Sequence, residues 1–273
     1  MLTCELERFI KEDLGEDDDS DGIVPEVSAS ARIVCKEGGV LAGLDEARQV
    51  FEYFGASAES AFSDGDSLKK GAVILTVEGT APAILRAERL ALNFLGRMSG
   101  IATLTSPCAE KAKPARVAAT RKTTPGFRQF EKKAVKLGGG DPHRYDLSAA
   151  VMIKDNHLAI MGIEGSVTAA KKAASFTKKI EIEVESVEDG EKAARLGADI
   201  IMFDNMKPEK IAEGVAKVRK IDSRIIIEAS GGVTLDNIGD YAKTGVDVVS
   251  LGALTRDAKW LDFSLDMEIL KPG

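Results

Sequence analysis

Residues 180–204 read I-E-I-E-V-E-S-V-E-D-G-E-K-A-A-R-L-G-A-D-I-I-M-F-D. The β-rich run Ile180–Val184 is followed by a helical segment, Val187–Leu196, and then by a second β-rich run that ends at Phe203. Gly197 stands where the helix should end, and glycine commonly closes a helix because it adopts left-handed backbone angles without strain. The stretch therefore predicts a right-handed β-α-β unit with two parallel strands.

The same alternation extends over the chain from Arg116 onward. The β-rich runs, in order, are R-V-A-A-T, A-V-M-I-K, I-E-I-E-V, D-I-I-M-F, R-I-I-I-E-A and V-D-V-V-S-L. The predicted helices are Phe127–Leu137, Glu164–Ala174, Val187–Leu196, Pro208–Ile221 and Leu235–Thr244. Strands that alternate with helices predict an α/β fold with a parallel sheet or barrel. Six strands are fewer than the eight of a complete barrel, which favours a partial or smaller one.

The pattern before about residue 105 is mixed. It predicts a helix at 3–13, an acidic loop, a strand Ala31–Cys35, a helix Asp45–Phe54 and a strand Ala72–Glu78. A long helix then begins with Pro82 in its first turn. Apolar residues recur along it at helical spacing, which predicts one buried face: Ile84, Ala87, Leu90, Ala91, Phe94, Leu95 and Met98.

Polar residues follow the predicted strands of the second half, at or just past their carboxyl ends. In chain order they are Arg121 and Lys122, Lys154, Glu183 or Glu185, Asp204, Ser230-Gly231-Gly232, and Gly252. Solvent-exposed loops commonly begin with polar residues, which would explain any one of these positions. That explanation does not account for the order along the chain, in which cations come first, acids follow and glycine turns come last. Because barrel enzymes assemble their sites from the ends of several strands, the order predicts one site.

The residue types indicate a small polyanionic ligand. Arginine grips carboxylates in a bidentate fork, lysine supplies a compact charge, and glycine turns let backbone N–H groups approach a phosphate. Asp204 and Glu183 could hold Mg²⁺ through water or stabilise a developing positive charge. Both histidines fall in the same basic stretch, Thr120–His157: for His143 ligand contact and a structural role are equally open, and His157 is expected to stabilise a loop.

Glu181, Glu183 and Glu185 alternate with apolar residues and therefore share one face of a strand. On a surface sheet that face would be solvated, whereas inside a barrel the three acids would need cations. No Ser-His-Asp or zinc-protease spacing occurs, so acyl-transfer hydrolysis is not expected.

The net charge of −7 is unevenly distributed. Residues 1–30 contain ten acids against Arg8 and Lys11, so the rest of the chain is close to neutral, and the run 16–21 is expected to be a solvated loop. No long basic face with interleaved aromatic residues predicts nucleic-acid binding, and no apolar run approaches the roughly 18 residues of a membrane span. Three separated cysteines and the lack of a signal-peptide pattern predict a cytoplasmic protein with reduced thiols.

Several long motifs resemble those of the quinolinate phosphoribosyltransferase family. They are E-R-L-A-L-N-F-L-G-R-M-S-G-I-A-T, T-R-K-T-T-P-G-F-R, H-R-Y-D-L, I-K-D-N-H, I-E-I-E-V, M-F-D-N, E-A-S-G-G-V and V-S-L-G-A-L-T, in the order and spacing of the family. The resemblance covers nearly the whole sequence. The N-terminal part of the sequence departs from the family pattern, because E-D-L-G-E-D-D-D-S-D replaces a shorter E-D-L-G-x-G-D-x-T-T-like segment. This difference affects the expected structure of that loop and not the expected chemistry.

The resemblance implies an N-terminal α/β sandwich at 1–105 and an open, partial α/β barrel at 106–273, with the last residues packing back on the first domain. It also implies a homodimer in which the N-terminal domain of one subunit caps the barrel of the other, so that Arg89 reaches a neighbouring site; a hexamer as a trimer of dimers is an alternative. The implied reaction joins quinolinate and phosphoribosyl pyrophosphate, with Mg²⁺, to give nicotinate mononucleotide, pyrophosphate and CO₂ in NAD biosynthesis.

On this resemblance Lys122, Lys154, Glu183 and Asp204 are the expected catalytic residues. The expected substrate-binding residues are Arg89, Thr120, Arg121, Lys122, His143, Arg144, Lys154, Glu183, Asp204, Ser230, Gly231, Gly232, Leu251, Gly252 and Ala253. Two alternatives stand beside this reading. One is a related transferase that uses the same donor on another base, and the other is a non-catalytic barrel that senses a phosphorylated metabolite.

Overall fold

A computed structural model describes residues 1–16, 18 and 22–270 of the chain. The acidic run 16–21, predicted as a solvated loop, falls mostly outside the described residues. Two compact units are present: Met1–Leu104 together with the segment from Ala258 onward, and Thr105–Asp257. None of the described helices combines the length and the apolar composition of a membrane span.

The order of helices and strands is mixed in the first part of the chain and alternates regularly in the second, as the sequence predicts. The first part of the chain forms α1 (Thr3–Leu14), β1 (Ser28–Cys35), β2 (Gly39–Val40), α2 (Leu44–Tyr53), β3 (Ser57–Glu59), β4 (Ser67–Leu68), β5 (Val73–Thr80) and α3 (Ala81–Lys111). The second part forms β6 (Arg116–Ala118), α4 (Arg128–Leu137), β7 (Val151–Ile153), α5 (Asp155–Ala173), β8 (Ile180–Val184), α6 (Val187–Arg195), β9 (Ile200–Asp204), α7 (Pro208–Ile221), β10 (Ile226–Ser230), α8 (Ile238–Ala242), β11 (Val248–Ser250), α9 (Ala253–Arg256) and β12 (Phe263–Ile269).

The first unit contains an antiparallel sheet of strand order β12-β1-β5-β3 and the pair β2-β4. Strand β1 alternates in burial along its length, so one of its faces packs against the core through Ala29, Ala31, Ile33 and Cys35. Strand β12, which the sequence patterns did not predict, pairs with β1 in antiparallel register from Ala29 opposite Ile269 to Cys35 opposite Phe263. The segment after residue 257 therefore completes the sheet of the first unit.

The long helix α3 buries the predicted apolar face. Ile84, Ala87, Ala91, Phe94, Leu95 and Met98 are each at most 1% exposed, and Leu90 is 8% exposed. Pro82 stands in the first turn, where its missing N–H would have no intrahelical partner.

The second unit is a parallel sheet of strand order β6-β11-β10-β9-β8-β7. Its two ends, β6 and β7, are consecutive in sequence but do not pair in the described residues, so the barrel stays open, as predicted. At the free edge of β6 the chain makes one further bridge, between Ala118 and Asp141. The segment that carries His143 and Arg144 thus starts beside β6.

Two predicted helices have other bounds in the structure. Helix α5 begins at Asp155 rather than Glu164, and Gly162, with φ of 65°, interrupts it with a non-helical residue. The sequence pattern detected only the part beyond this glycine. Helix α8 is shorter than the predicted Leu235–Thr244, because residues 235–237 form a turn, and Asn237 Oδ1 accepts a hydrogen bond from the Thr234 N–H before it.

Helices α6 and α7 approach β9 closely because each presents a glycine to Phe203. A Cβ atom on Gly190 would lie 2.7 Å from the Phe203 ring, and one on Gly214 would lie 2.5 Å from it. Phe203 is fully buried and fills the space that the two glycines leave. This packing fixes the end of β9, and with it Asp204, the last residue of the strand.

We predict that Gly214→Ala lowers the melting temperature. Inside an exposed helix this change would stabilise by about 1 kcal/mol, but here the methyl group overlaps the Phe203 ring and the overpacking should cost about 1–3 kcal/mol. Thermal unfolding followed by circular dichroism measures the effect. In a Phe203→Leu background the same substitution should cost less, and a rise in melting temperature for Gly214→Ala alone would contradict the prediction.

Candidate active site

The parallel sheet of the second unit opens, at the carboxyl ends of its strands, into a cavity of about 390 Å³. Each of the six strands contributes a residue to it, either directly or from the loop that follows. The lining residues are Ala119, Thr120, Arg121, Lys122, His143, Arg144, Met152, Lys154, Glu183, Met202, Asp204, Glu228, Ser230 and Ser250. Parallel strands end at one edge, which is why residues separated by 130 positions along the chain meet here.

Most residues of the predicted site line this cavity: Thr120, Arg121, Lys122, His143, Arg144, Lys154, Glu183, Asp204 and Ser230. The sequence left Glu183 and Glu185 as alternatives. Glu183, on β8, lines the cavity, whereas Glu185, just after β8, is exposed and lies outside the lining. The predicted residues outside the lining are Gly231, Gly232, Leu251, Gly252 and Ala253, which directly follow Ser230 and Ser250. Arg89 is exposed on α3, in the first unit.

The loop after β6 presents Arg121 and Lys122. Thr120 Oγ1 accepts a hydrogen bond of 3.1 Å from the Lys122 N–H, and the Lys122 carbonyl accepts one of 2.8 Å from Thr255 Oγ1. A Cβ atom on Gly252 would lie 3.1 Å from Lys122 Cδ, so a glycine there leaves room for the lysine stem. Arg121 Nε is buried and lacks a hydrogen-bond partner among the described residues.

His143 lies at the base of the cavity between two buried glutamates. Its Nε2 is 3.2 Å from Glu228 Oε2 and 3.7 Å from Glu181 Oε1. Its backbone adopts a left-handed φ of 54°, and its N–H donates to Asp141 Oδ1 at 2.7 Å. Glu181 and Glu228 are 1% and 2% exposed, so their negative charges have little solvent to screen them.

This cluster shifts the pKa values of His143 and Glu181. Burial by itself would lower the pKa of His143, but the close carboxylates of Glu181 and Glu228 outweigh burial and raise that pKa to about 10. Burial and the neighbouring Glu228 raise the pKa of Glu181, against the opposing effect of His143. A protonated His143 therefore compensates the two acids across neutral pH.

Lys154 and Glu183 form an ion pair across adjacent strands, with 2.5 Å between Lys154 Nζ and Glu183 Oε2. Lys154 is also the residue that precedes α5, and its N–H donates to His157 Nδ1 at 3.0 Å. His157 thus caps the start of a helix instead of stabilising a loop. Its exposed ring lies outside the cavity lining.

The loops after β9 and β10 interlock beside Asp204. The Asn205 N–H donates to the Ser230 carbonyl at 2.9 Å, and Asn205 Nδ2 donates to Asp204 Oδ2 at 2.6 Å. A side chain on Gly231, whose φ is 85°, would collide with Asn205. The close approach of these two loops therefore requires a glycine at 231, whereas Gly232 has open space around its Cβ position and is favoured there by its φ of 64°.

His143, Glu181 and Glu228 also form the group of described residues whose ligand atoms could hold a metal ion, since these atoms lie within 4.8 Å of one another. The sequence prediction instead placed a metal near Glu183 and Asp204, which both line the cavity. A nitrogen ligand and two carboxylates suit a transition metal better than Mg²⁺, which prefers oxygen ligands.

Glu228 was not predicted as a site residue, and Glu181 was noted only as one of three alternating acids. A signal for Glu228 exists, because it is the sole charged residue within the apolar run Ile225–Ala229 of β10. A buried acid in such a run needs a cationic or hydrogen-bonding partner. That partner, His143, lies 85 residues earlier, and only the folded sheet shows the pairing.

Family models cover almost the whole chain. The model for the quinolinate phosphoribosyl transferase N-terminal domain matches residues 17–99, and that for the C-terminal domain matches residues 101–266. The chain belongs to the quinolinate phosphoribosyltransferase family. A probable nicotinate-nucleotide pyrophosphorylase (carboxylating) of Methanothermobacter thermautotrophicus is 45% identical over 275 residues, with 97% of this chain and 99% of the relative covered.

Two further relatives agree with this. The human nicotinate-nucleotide pyrophosphorylase (carboxylating) is 41% identical over 244 residues, which cover 88% of this chain and 82% of that protein. The crystal structure of NadC from Streptococcus pyogenes is 39% identical and superposes with a TM-score of 0.91, covering 97% of this chain and 96% of that chain. The predicted fold class, with an N-terminal domain followed by a parallel α/β domain, is confirmed.

We predict that the stabilising effect of His143 depends on pH. Because its pKa is raised above the ordinary 6.5, its contribution to stability is complete below about pH 6.5 and is lost as the pH rises through about 10. His143→Gln should therefore lower the melting temperature most at pH 6 and progressively less at pH 8 and 10. His157→Gln is the matched control, and a difference between wild type and His143→Gln that stays constant with pH would contradict this.

Proposed function

We propose that the protein transfers the phosphoribosyl group of phosphoribosyl pyrophosphate to quinolinate and decarboxylates the product, giving nicotinate mononucleotide, pyrophosphate and CO₂ in NAD biosynthesis. The observation that carries the proposal is a cavity lined by five cationic or histidine side chains and by three carboxylates, in a member of this family. The names of the relatives, nicotinate-nucleotide pyrophosphorylase (carboxylating), support the same reaction.

Quinolinate carries two adjacent carboxylates, which suit the cationic side chains that line the cavity. Arg121, whose buried Nε has no hydrogen-bond partner among the described residues, and Arg144 can each grip a carboxylate through a guanidinium fork. Lys154 and the protonated His143 add further positive charge. We assign the binding of quinolinate to these four residues, with Arg89 added from a partner subunit.

The donor phosphate suits the loops that follow β10 and β11. We assign the 5′-phosphate of the donor to Ser230, Gly231 and Gly232, together with Leu251, Gly252 and Ala253. Support comes from the glycine pair, whose backbone can approach a phosphate without a Cβ atom, and from the position of both loops at the end of the sheet where barrels commonly bind phosphate.

The chemistry requires charge stabilisation and no covalent nucleophile. The bond between ribose C1′ and the pyrophosphate oxygen breaks, and C1′ joins the ring nitrogen of quinolinate. Glu183 and Asp204 stabilise the positive charge that develops on the ribose, while Lys122 and Lys154 receive the departing pyrophosphate. CO₂ then leaves C2, the bonding electron pair remains on C2, where the adjacent cationic ring nitrogen stabilises it, and C2 takes up a proton.

Mg²⁺ fits the proposed reaction, because it binds substrate phosphates and one or two carboxylates and keeps several waters. Glu183 and Asp204, both lining the cavity, would hold it mainly through water and the donor phosphates. When bound it would neutralise charge on the pyrophosphate. The His143 cluster contains a nitrogen ligand and already balances its charges, so it suits Mg²⁺ less well.

The proposal includes a homodimer with shared active sites, or a hexamer built from three dimers, and a cytoplasmic location. The exposed Arg89 on α3 supports a role at another subunit, and the three cysteines, free thiols in the described structure, support a reducing compartment.

One assay tests the function. Quinolinate, phosphoribosyl pyrophosphate and Mg²⁺ are incubated with the protein, and CO₂ and nicotinate mononucleotide are measured. Formation of both supports the proposal. Turnover of another base without turnover of quinolinate would favour the related transferase, and binding of donor without any turnover would favour a sensor.

We predict that Arg144→Ala raises the KM for quinolinate by about 10–100-fold, the size expected when one charge-assisted hydrogen-bonding pair is lost. The KM for phosphoribosyl pyrophosphate should change much less, because the donor is assigned to other residues. Steady-state kinetics with each substrate varied in turn measures both constants. Equal weakening of the two substrates would count against the assignment of Arg144 to the dicarboxylate.

If Arg89 acts across a dimer, two inactive variants should rescue each other. Arg89→Ala and Lys154→Ala subunits, mixed and allowed to exchange, place one intact site in each heterodimer. We expect the mixture to recover about a quarter of the wild-type activity, since random exchange gives one-half heterodimer with one intact site of two. Absence of recovery, with exchange verified by mass spectrometry, would place Arg89 in its own subunit or outside the site.

A further inference from the structure

Two loops carry most of the positive charge of the cavity. The first cation loop, residues 119–127, presents Arg121 and Lys122, and the second cation loop, residues 141–146, presents His143 and Arg144. Helix α4 lies between them in sequence. Three charged residues in its first two turns, Arg128, Glu131 and Lys132, are spaced i, i+3 and i+4 and so share one face.

Glu131 binds the first cation loop. Its two carboxylate oxygens accept hydrogen bonds of 3.0 Å each, from the N–H and from the Oγ1 of Thr124. The Glu131 side chain is fully buried while Thr124 is exposed, so these bonds fasten the loop to the buried face of the helix. Thr124 lies two residues after Lys122, and its position limits where the cationic part of the loop can lie.

Lys132 binds the second cation loop. Its Nζ donates to the carbonyl oxygen of Pro142, the residue before His143, and lies 5.5 Å from the centre of the Tyr145 ring, the residue after Arg144. The ammonium group thus contacts the chain on both sides of His143 and Arg144. Together with the bond from the His143 N–H to Asp141, it holds a segment in which His143 has left-handed backbone angles.

Arg128 connects the two loops directly. Its Nε donates to Thr123 Oγ1 at 3.0 Å, and its Nη1 donates to the Tyr145 carbonyl at 3.1 Å. The same guanidinium therefore links Thr123 of the first cation loop to Tyr145 of the second.

Stability alone does not account for these charges. Lys132 is 0% exposed, and burial is the main reason that its pKa is lowered, to about 8, with Arg128 the next cause. Replacing a buried charge by an apolar residue of similar volume is often neutral or stabilising. A methionine at 132 would fill the same space, so the ammonium group there has to be explained by what it positions.

We propose that Arg128, Glu131 and Lys132 are positioning residues that set the spacing of the two cation loops, and through it the affinity for the dicarboxylate substrate. They do not line the cavity and act through Arg121, His143 and Arg144. The inference rests on the proposed function only in its choice of quinolinate as the ligand.

Lys132→Met tests the proposal, with Lys136→Met as the matched control, because Lys136 is an exposed lysine on the same helix. Quinolinate affinity is measured as KM and also as Kd by calorimetry, which does not require turnover. We expect Lys132→Met to raise both constants by about tenfold, with less than about a threefold change in the KM for the donor and little change in melting temperature. Lys136→Met should change none of these values.

A double-mutant cycle with Arg144→Ala separates positioning from general damage. If Lys132 acts through Arg144, adding Lys132→Met to Arg144→Ala should weaken quinolinate by less than about threefold further, because the two changes remove one shared interaction. Full additivity, or a Lys132→Met protein with wild-type quinolinate affinity, would overturn the proposal.

If Lys132→Met fails to fold, Arg128→Met serves as the second variant. Arg128 is only half-buried, so its replacement should disturb the fold less. It should weaken quinolinate as well, since Arg128 contacts both loops. An unchanged affinity in this variant would overturn the proposal. A wild-type protein that binds quinolinate but does not turn it over would contradict the proposed function while leaving this test valid.

Discussion

The parallel direction of the six strands in the second unit is the constraint on which the site depends. Because all six end at one edge, Arg121, Lys154, Glu183, Asp204 and Ser230 meet without any local sequence relationship. The barrel is open between β6 and β7, and this opening gives the second cation loop room to enter beside β6. An antiparallel sheet would have sent alternate strand ends, and half of these residues, to the opposite edge.

Charge balance explains how the cavity holds so many cations close together. Lys154 is paired with Glu183, and His143 is paired with Glu228 and Glu181 at the base of the cavity. Within the described part of the chain, the buried Arg121 Nε has no hydrogen-bond partner. On the proposed function, an arriving dicarboxylate satisfies this donor and competes with Glu183 for Lys154, so substrate binding exchanges ion pairs within the cavity instead of bringing isolated charges together.

Periodicity in the sequence sufficed to predict the alternating elements and the residues at the strand ends, because both follow from local spacing. It failed where a distant contact decides the structure. The partner of Glu228 lies on a loop 85 residues away, and β12 is recognisable as a strand only through its pairing with β1. The early start of α5 was missed for a local reason, since Gly162 divides the helical pattern into two short parts.

The segment T-R-K-T-T-P-G-F-R, residues 120–128, is longer than the part of it that lines the cavity. Thr120, Arg121 and Lys122 line it. Thr124 is hydrogen-bonded to Glu131 of α4, and Arg128 is the first residue of that helix and is hydrogen-bonded to Thr123. The second half of the segment therefore holds the first half in place. A motif of this kind specifies both the groups that contact a ligand and the hydrogen bonds that orient them, since a cation displaced by about 1 Å loses much of its directed interaction with a carboxylate.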